Sequence, residues 1–146
     1  CGAFAVIRLC TYFLAYFCVA FCICFSPRVG LCWTLALVLE RGLSGLAVAA
    51  FPMAKNTGLA HTFATAADRE SVQKILIVLS VLLAAALIAL GGGALVAAAL
   101  LVLWRYHHVA VKEFGGITGD LAGWFLQKAE FWMLAALAAS QWGGIL

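Results

Sequence analysis

The sequence predicts an all-α protein in a lipid bilayer, a polytopic integral membrane bundle of about five transmembrane helices in one domain over residues 1–146. Of its 146 residues, 66% are hydrophobic and 10% are charged, whereas soluble domains contain roughly 45–50% and about 25% of these classes. Long apolar runs alternate with short polar stretches, and about 20 apolar residues suffice for one crossing. The composition therefore excludes a water-soluble protein. The net charge of +3, without a basic stripe, gives no support for nucleic-acid binding.

Two apolar runs near the start of the chain predict helices over residues 3–25 and 31–51. Pro27 lies after the first run and Pro52 after the second, and proline cannot continue a helix and restricts the residue before it. All six cysteines lie in or beside these runs, where a thiol behaves as a small hydrophobic side chain. We therefore expect the cysteines to pack rather than to bind metal or form disulfides.

The second half of the chain predicts three more helices, after a polar stretch over residues 53–74. The acidic start at residues 68–71 suits a helix N-terminus. The apolar run that follows is too long for one crossing at about 1.5 Å per residue, and the three glycines at 91–93 provide a turn within it. We predict helices over residues 72–90, 94–111 and 121–142.

The distribution of cations predicts the orientation of these helices. With five crossings, the 52–74 and 112–120 connections lie on the same side of the membrane as the start of the chain. The opposite side carries only Arg28, whereas cytoplasmic loops carry an excess of Lys and Arg. We therefore expect the polar connections in the cytoplasm, together with their four cations, Lys55, Arg69, Lys74 and Lys112.

Glu40-Arg41 places ionisable residues near the middle of the second predicted helix. A charge at that depth costs about 2.5–3.5 kcal/mol on insertion scales unless a partner or a polar cavity compensates it. Two interpretations are equally supported. Either Arg41 binds an anionic substrate or a carboxylate of the site, or it belongs to a structural pair within the bundle.

A glycine-rich segment, Gly115-Gly116-Ile117-Thr118-Gly119-Asp120, joins the fourth and fifth predicted helices. Its glycines allow the backbone to approach a ligand closely and leave N–H groups available to phosphate oxygens. Asp120 then stands at the start of a helix. On this spacing alone, the simplest interpretation is that Asp120 caps the helix.

A polar stripe follows on the fifth predicted helix and favours a ligand instead. Asp120, Gly123, Gln127 and Glu130 are spaced three, four and three residues apart, so they lie along one helical face. Two carboxylates near a glycine loop suit Mg²⁺ and a diphosphate, because hard cations bind carboxylate and phosphate oxygens. The alternative is a transporter or channel fragment, since buried Glu and Arg residues also serve ion and proton pathways.

These residues together resemble the cobalamin synthase family, the adenosylcobinamide-GDP ribazoletransferases. The C-terminal signature of the family is similar to G-G-x-T-G-D-x-x-G followed by carboxylates, which residues 115–123 match, with Glu130 at the later acidic position. A stretch similar to P-x-A-[RK]-x-x-G-L matches residues 52–59, after the mid-helix Arg41. The opening Gly2-Ala3-Phe4 resembles the end of a further family segment.

The chain also departs from the family pattern. Gln127 stands where members often carry Glu, and Lys55 replaces the commoner Arg, which keeps the charge but loses the bidentate fork. The resemblance implies an Asp-rich motif similar to D-G-x-x-D-x-x-D upstream, which this chain does not contain. We therefore expect it to be the C-terminal portion of a longer enzyme and to be inactive alone.

The resemblance implies the final step of nucleotide-loop assembly in cobalamin biosynthesis. In that step α-ribazole or its 5′-phosphate is joined to adenosylcobinamide-GDP, and GMP is released. We expect a multi-pass protein of the bacterial inner membrane, with its active site facing the cytoplasm. Its partners would be these substrates and the lipid bilayer, and the sequence leaves open whether it forms a homo-oligomer.

The resemblance also implies roles for individual residues. Mg²⁺ is the expected cofactor, with Asp120 and Glu130 as its ligands. The same two carboxylates and Arg41 are the predicted catalytic residues. The predicted substrate-binding residues are Gly115, Gly116, Thr118, Gly119, Lys55 and Asn56.

Overall fold

The structure is a computed structural model that describes residues 2–54, 69–144 and 146, and these residues form five α-helices and no β-strand. The helices are α1 (Ala3–Phe21), α2 (Pro27–Ala50), α3 (Arg69–Ala89), α4 (Gly93–Phe114) and α5 (Gly119–Trp142). Helices α1 to α4 are each long and apolar enough to cross a membrane. Helix α5 is also 24 residues long but carries Asp120, Lys128 and Glu130. The prediction of an all-α membrane bundle is confirmed.

The helix boundary around Pro27 differs from the prediction. Helix α1 ends at Phe21 rather than at residue 25, and α2 begins at Pro27 rather than at residue 31. The Ser26 side chain caps α2 by accepting a hydrogen bond from Val29 N at 3.2 Å. Proline is favoured in the first helical turn because its missing N–H would have no partner there. Pro27 therefore begins the second helix, and a separate extended turn ends the first.

The predicted hairpin of α3 and α4 is confirmed, with a tight glycine turn between them. Gly91 adopts a left-handed φ of +92°, and Gly92 N donates to Leu87 O at 2.7 Å. A Cβ on Gly92 would lie 3.1 Å from that same oxygen. The turn is therefore closed by backbone atoms that leave little room for a side chain.

One end of the bundle gathers the 22–26 turn, the start of α2, the α3–α4 turn and the end of α5. The Arg28 side chain donates two hydrogen bonds to Leu90 O, at 3.1 and 2.8 Å. The Gln141 side chain pairs with the backbone of Cys24, accepting from its N–H at 3.0 Å and donating to its oxygen at 2.8 Å. These loops lie together, as expected for five crossings.

The opposite end gathers the end of α2, the start of α3 and the α4–α5 connection. Arg69 Nε donates to Ala49 O at 3.0 Å, and the 52–54 segment pairs with Ile117. The same end carries the exposed Lys74 and Lys112, which are also near helix ends. The grouping of polar connections that the sequence predicted therefore agrees with the structure.

The core lies between α2, α4 and α5, and the other helices pack around it. Gly42 and Gly45 bring α2 close to α3, since a Cβ on either would lie 3.3 Å from a side-chain atom of α3. Small residues at such positions let membrane helices approach closely. Helix α1 has no buried residue and packs at the edge of the bundle. The largest fully buried side chains include Tyr106, Phe125, Leu39, Leu95 and Met133.

The cysteines divide between the core and the outer surface. Cys32 is buried in the core, as predicted for packing. The free thiols of Cys10, Cys18, Cys22 and Cys24 lie on exposed positions of α1 and the turn after it. Of these five cysteines, only Cys32 packs in the protein interior.

Candidate functional site

The glycine bend, which we define as residues 115–118, is joined to the 52–54 segment by backbone hydrogen bonds. Ile117 N donates to Pro52 O at 2.8 Å, and Ala54 N donates to Ile117 O at 3.0 Å. These bonds form a parallel bridge between Met53 and Ile117, and Ile117 is only 1% exposed. The bend is therefore held against the segment that follows α2.

Gly115 and Gly116 adopt conformations that favour glycine. Gly115 ends α4 with a left-handed φ of +68°, and Gly116 has a φ of +152°. A Cβ on Gly116 would lie 2.6 Å from Pro52 O and from Ala54 N. The close backbone approach that the glycines predicted is present, but it is an approach to another segment of the protein.

The N–H groups of Gly116 and Ile117 are used within the protein, which corrects this part of the predicted phosphate cradle. Gly116 N donates to Ala110 O at 2.9 Å, and Ile117 N donates to Pro52 O. Neither group is therefore available to a phosphate oxygen. The first N–H groups of a helix have no partner inside that helix. The start of α5, at Gly119 and Asp120, is therefore the candidate anion site in place of the bend.

Thr118, and not Asp120, caps α5. Thr118 adopts an extended conformation, and its Oγ1 accepts a hydrogen bond from Leu121 N at 3.3 Å. Asp120 lies in the first turn and is exposed, where a negative charge interacts favourably with the helix dipole. The capping interpretation of Asp120 is therefore wrong, and its carboxylate remains accessible to a ligand.

Asp120 and Glu130 share a helix but not a binding position. Ten residues along one helix separate their Cα atoms by about 15 Å along its axis. An ion held directly by both carboxylates would need one oxygen of each within about 2.0–2.6 Å of it, so these two residues do not fit one shared ion. In the described ranges 2–54, 69–144 and 146, no group of three His, Cys, Asp or Glu residues is placed to hold a metal.

Glu130 belongs to a polar cluster between α1, α2 and α5, which we call the Glu130 cluster and define as Tyr12, Tyr16, Glu40 and Glu130. Tyr16 donates its hydroxyl to Glu130 Oε1 at 3.2 Å. Tyr12 donates to the backbone oxygen of Gln127, also at 3.2 Å. Glu40 is 0% exposed and close enough to Glu130 for negative charges on the two side chains to repel each other, and the two tyrosines make the contacts that join α1 to α5. The cluster thus holds α1 against α5 through polar contacts within the bundle.

Sequence reasoning missed two members of this cluster, Tyr12 and Tyr16, and considered Glu40 only as the neighbour of Arg41. Tyr12 and Tyr16 are four residues apart and so share one face of α1, which is the signal that was available. Glu40 directly precedes Arg41, the residue chosen as the functional member of that pair. In the structure Glu40 faces the protein interior and Arg41 does not, so Glu40 is the member of the pair that belongs to the cluster.

Arg41 lies beside Glu40 and away from the glycine bend. Its Nε is 3.4 Å from Glu40 Oε1, and the Arg41 side chain is 60% exposed. Within the described residues, neither Glu40 oxygen has a hydrogen-bond partner, so this ion pair is its one compensating contact. Arg41 is nine residues before Ala50, about 14 Å from the end of α2, so the described geometry corresponds to the structural pair.

Lys55 and Asn56, the remaining predicted substrate-binding residues, lie outside the described residues. The described chain reaches Ala54, which directly precedes Lys55 and is bonded to the glycine bend. The structure therefore brings together the bend, the 52–54 segment, Thr118 and the start of α5. It leaves Arg41 and Glu130 about 14–15 Å farther along their helices.

The fold and this site define a polytopic helical membrane protein with an accessible carboxylate and a helix N-terminus at the end that carries its polar connections. A family model described as cobalamin-5-phosphate synthase matches residues 1–138. The adenosylcobinamide-GDP ribazoletransferase of Lachnoclostridium phytofermentans is 36% identical over 140 residues, which cover 94% of this chain and 52% of that protein. No solved structure matches the chain.

The chain belongs to the cobalamin-5-phosphate synthase family, as the signature at residues 115–123 predicted. It spans about half the length of the curated relative that it matches.

Proposed function

We propose that this chain forms part of a membrane transferase that joins α-ribazole, or its 5′-phosphate, to adenosylcobinamide-GDP and releases GMP. Family membership and 36% identity to a protein of that name support the proposal. The observation that carries it is the end of the bundle where the glycine bend meets the 52–54 segment. There Thr118 caps α5 and leaves Asp120 accessible.

The first turn of α5 suits the diphosphate of the nucleotide substrate. The N–H groups at a helix start point outward and, with the helix dipole, favour a phosphate. In the proposed reaction a ribose hydroxyl of the ribazole attacks the phosphorus attached to cobinamide. The bond from that phosphorus to the oxygen of the departing GMP breaks. The site then has to fix the diphosphate and offset the charge that develops on its oxygens.

Asp120 fits the role of a Mg²⁺ ligand, because Mg²⁺ is usually held by one or two carboxylates together with substrate phosphates and water. When bound, the ion would supply charge stabilisation at the phosphate oxygens. Asp120 would hold the ion in place beside the start of α5. Glu130, about 15 Å deeper along the helix, would position α1 through Tyr16 instead.

We further propose that the protein lies in a bacterial inner membrane with this end in the cytoplasm. The exposed Arg69, Lys74 and Lys112 lie at the end of the glycine bend, whereas Arg28 lies at the other. Cytoplasmic segments carry such an excess of cations. Nucleotide substrates are water-soluble, so they would reach the site from the same side.

Asp120→Asn tests the proposal in the protein at its natural full length. The substitution keeps the size of the side chain and removes the charge. We expect GMP release from membranes supplied with both substrates and Mg²⁺ to fall by about 10²-fold or more. Glu113→Gln is the matched control, since Glu113 is an exposed acid at the nearby end of α4. Equal turnover in the two variants would remove Asp120 from the site.

A further inference from the structure

Two grooves flank α5 on the outside of the bundle. The α4–α5 groove has a volume of about 600 Å³, and Arg105 and Trp132 are among the residues that line it. The α1–α5 groove has a volume of about 710 Å³, and its lining includes Arg8. Trp124 and Lys128 line both grooves. The two grooves therefore share a wall that carries a cation and an aromatic ring.

The charged lining of both grooves has one sign. Arg105, Lys128 and Arg8 contribute cations, and no acidic side chain is among the described residues that line either groove. The ion pairs found within the described part of the chain join other residues, Arg41 with Glu40 and Lys74 with Glu70. The three groove cations thus have no carboxylate of the described chain to compensate them.

The depth of these cations makes their compensation important. Arg105 is nine residues before Phe114, and Lys128 is nine residues after Gly119, so each lies about 14 Å from the end of its helix at the glycine bend. The two residues are therefore level with each other on neighbouring helices. Cations at such depth are costly, so we expect the long side chains of Arg105 and Lys128 to extend along the groove toward the interface, where a lipid head group lies.

We propose that these grooves bind an anionic phospholipid, with its phosphate between Arg105 and Lys128 and its acyl chains along the apolar walls. Basic pockets between transmembrane helices recognise anionic head groups in this way. Trp124 and Trp132 lie four residues before and four residues after Lys128, about 6 Å to either side of it along α5, and both contribute aromatic surface to the groove wall. A soluble phosphate would satisfy the charge but not the apolar walls, which include Leu101 and Ala98.

Native mass spectrometry of the full-length protein in mild detergent tests this site, with phosphatidylglycerol and phosphatidylcholine of matched acyl chains as the probes. We expect selective retention of phosphatidylglycerol. Arg105→Gln and Lys128→Gln should each weaken that retention about fivefold, and Lys128→Arg should restore it. Lys112→Gln is the matched control, because Lys112 is an exposed cation of α4 outside both grooves.

Further measurements distinguish the possible sources of the anion and the possible failures. Inorganic phosphate at millimolar concentration should not displace the lipid, and efficient displacement would show that the grooves bind a soluble anion instead. Equal retention of the two lipids by the unmodified protein would overturn the proposal even if the Gln variants failed to fold. Retention unchanged in folded Gln variants, judged by their helical circular dichroism, would also overturn it. None of these readouts depends on the proposed transferase activity.

Discussion

Gly116→Ala is the substitution for which the structure gives the sharpest expectation. Gly116 has a φ of +152°, and a Cβ added there would lie 2.6 Å from three backbone atoms of residues 52–54. Backbone atoms cannot move aside as a flexible side chain can. The variant must therefore either separate the bend from the 52–54 segment or distort both.

The expected magnitude follows from two contributions. A residue other than glycine at such a φ costs about 1–3 kcal/mol in backbone strain. Overpacking against fixed neighbours adds about 1–3 kcal/mol. We therefore expect Gly116→Ala to lower the free energy of unfolding by about 2–6 kcal/mol in total.

Reversible unfolding in detergent measures this loss, and Gly123→Ala is the matched control. Gly123 lies inside α5, and apart from its own helix backbone no atom is within 4 Å of its added Cβ, so the control should be neutral or gain up to about 1 kcal/mol of helix propensity. Hydrogen exchange adds a local readout, since the amides of Ile117 and Ala54 should lose protection in Gly116→Ala. Equal stabilities of the two variants, with both amides still protected, would refute the close approach described here.

Further substitutions at the α5 cap, the Glu130 cluster and the α3–α4 turn each test a contact by the change in the free energy of unfolding. Thr118→Ala removes the cap of α5 and should cost about 0.5–2 kcal/mol, whereas Thr118→Ser should be close to neutral. Tyr16→Phe loses the hydrogen bond to the Glu130 carboxylate and should cost about 1.5–3 kcal/mol. Tyr12→Phe loses a hydrogen bond to a backbone oxygen and should cost only about 0.5–1.5 kcal/mol. Equal losses in the two variants would contradict the assignment of Glu130 as the partner of Tyr16. Arg28→Ala removes both bonds to the α3–α4 turn and should cost about 1–3 kcal/mol, with faster hydrogen exchange at the turn amides as its signature.

The fold could be predicted from the sequence because a bilayer imposes one length on each apolar run. That constraint located all five helices and the turn at residues 91–93. It does not determine where a helix begins, and Pro27 shows why. Proline both interrupts a preceding helix and favours the first turn of the next, and the sequence interpretation used only the first property.

The candidate site was predicted less completely, because a sequence motif does not show which of its backbone and side-chain groups form hydrogen bonds within the protein. The glycines predicted a close backbone approach to a ligand, whereas the approach in the structure is to another segment of the protein. The partner of that approach is the 52–54 segment, whose Pro52 oxygen accepts from Ile117 N, while the Ala110 oxygen of α4 accepts from Gly116 N. The sequence interpretation had left these N–H groups to phosphate. Capping likewise depends on the local φ and ψ of Thr118, which the spacing of residues does not give.

The polar stripe of α5 shows how a helical face can be mistaken for a single site. Residues three and four apart recur on one face, but each step also advances about 1.5 Å along the axis. Asp120 therefore lies at the accessible end of α5, while Glu130 reaches the level of Tyr16 and the buried Glu40. Because their surroundings differ, the two acids are suited to different roles. An exposed carboxylate at a helix start is accessible to a cation and a phosphate, whereas one within the bundle must find its partners in the protein. Glu130 finds Tyr16, and through that contact the outermost helix is held beside the helix that carries Asp120.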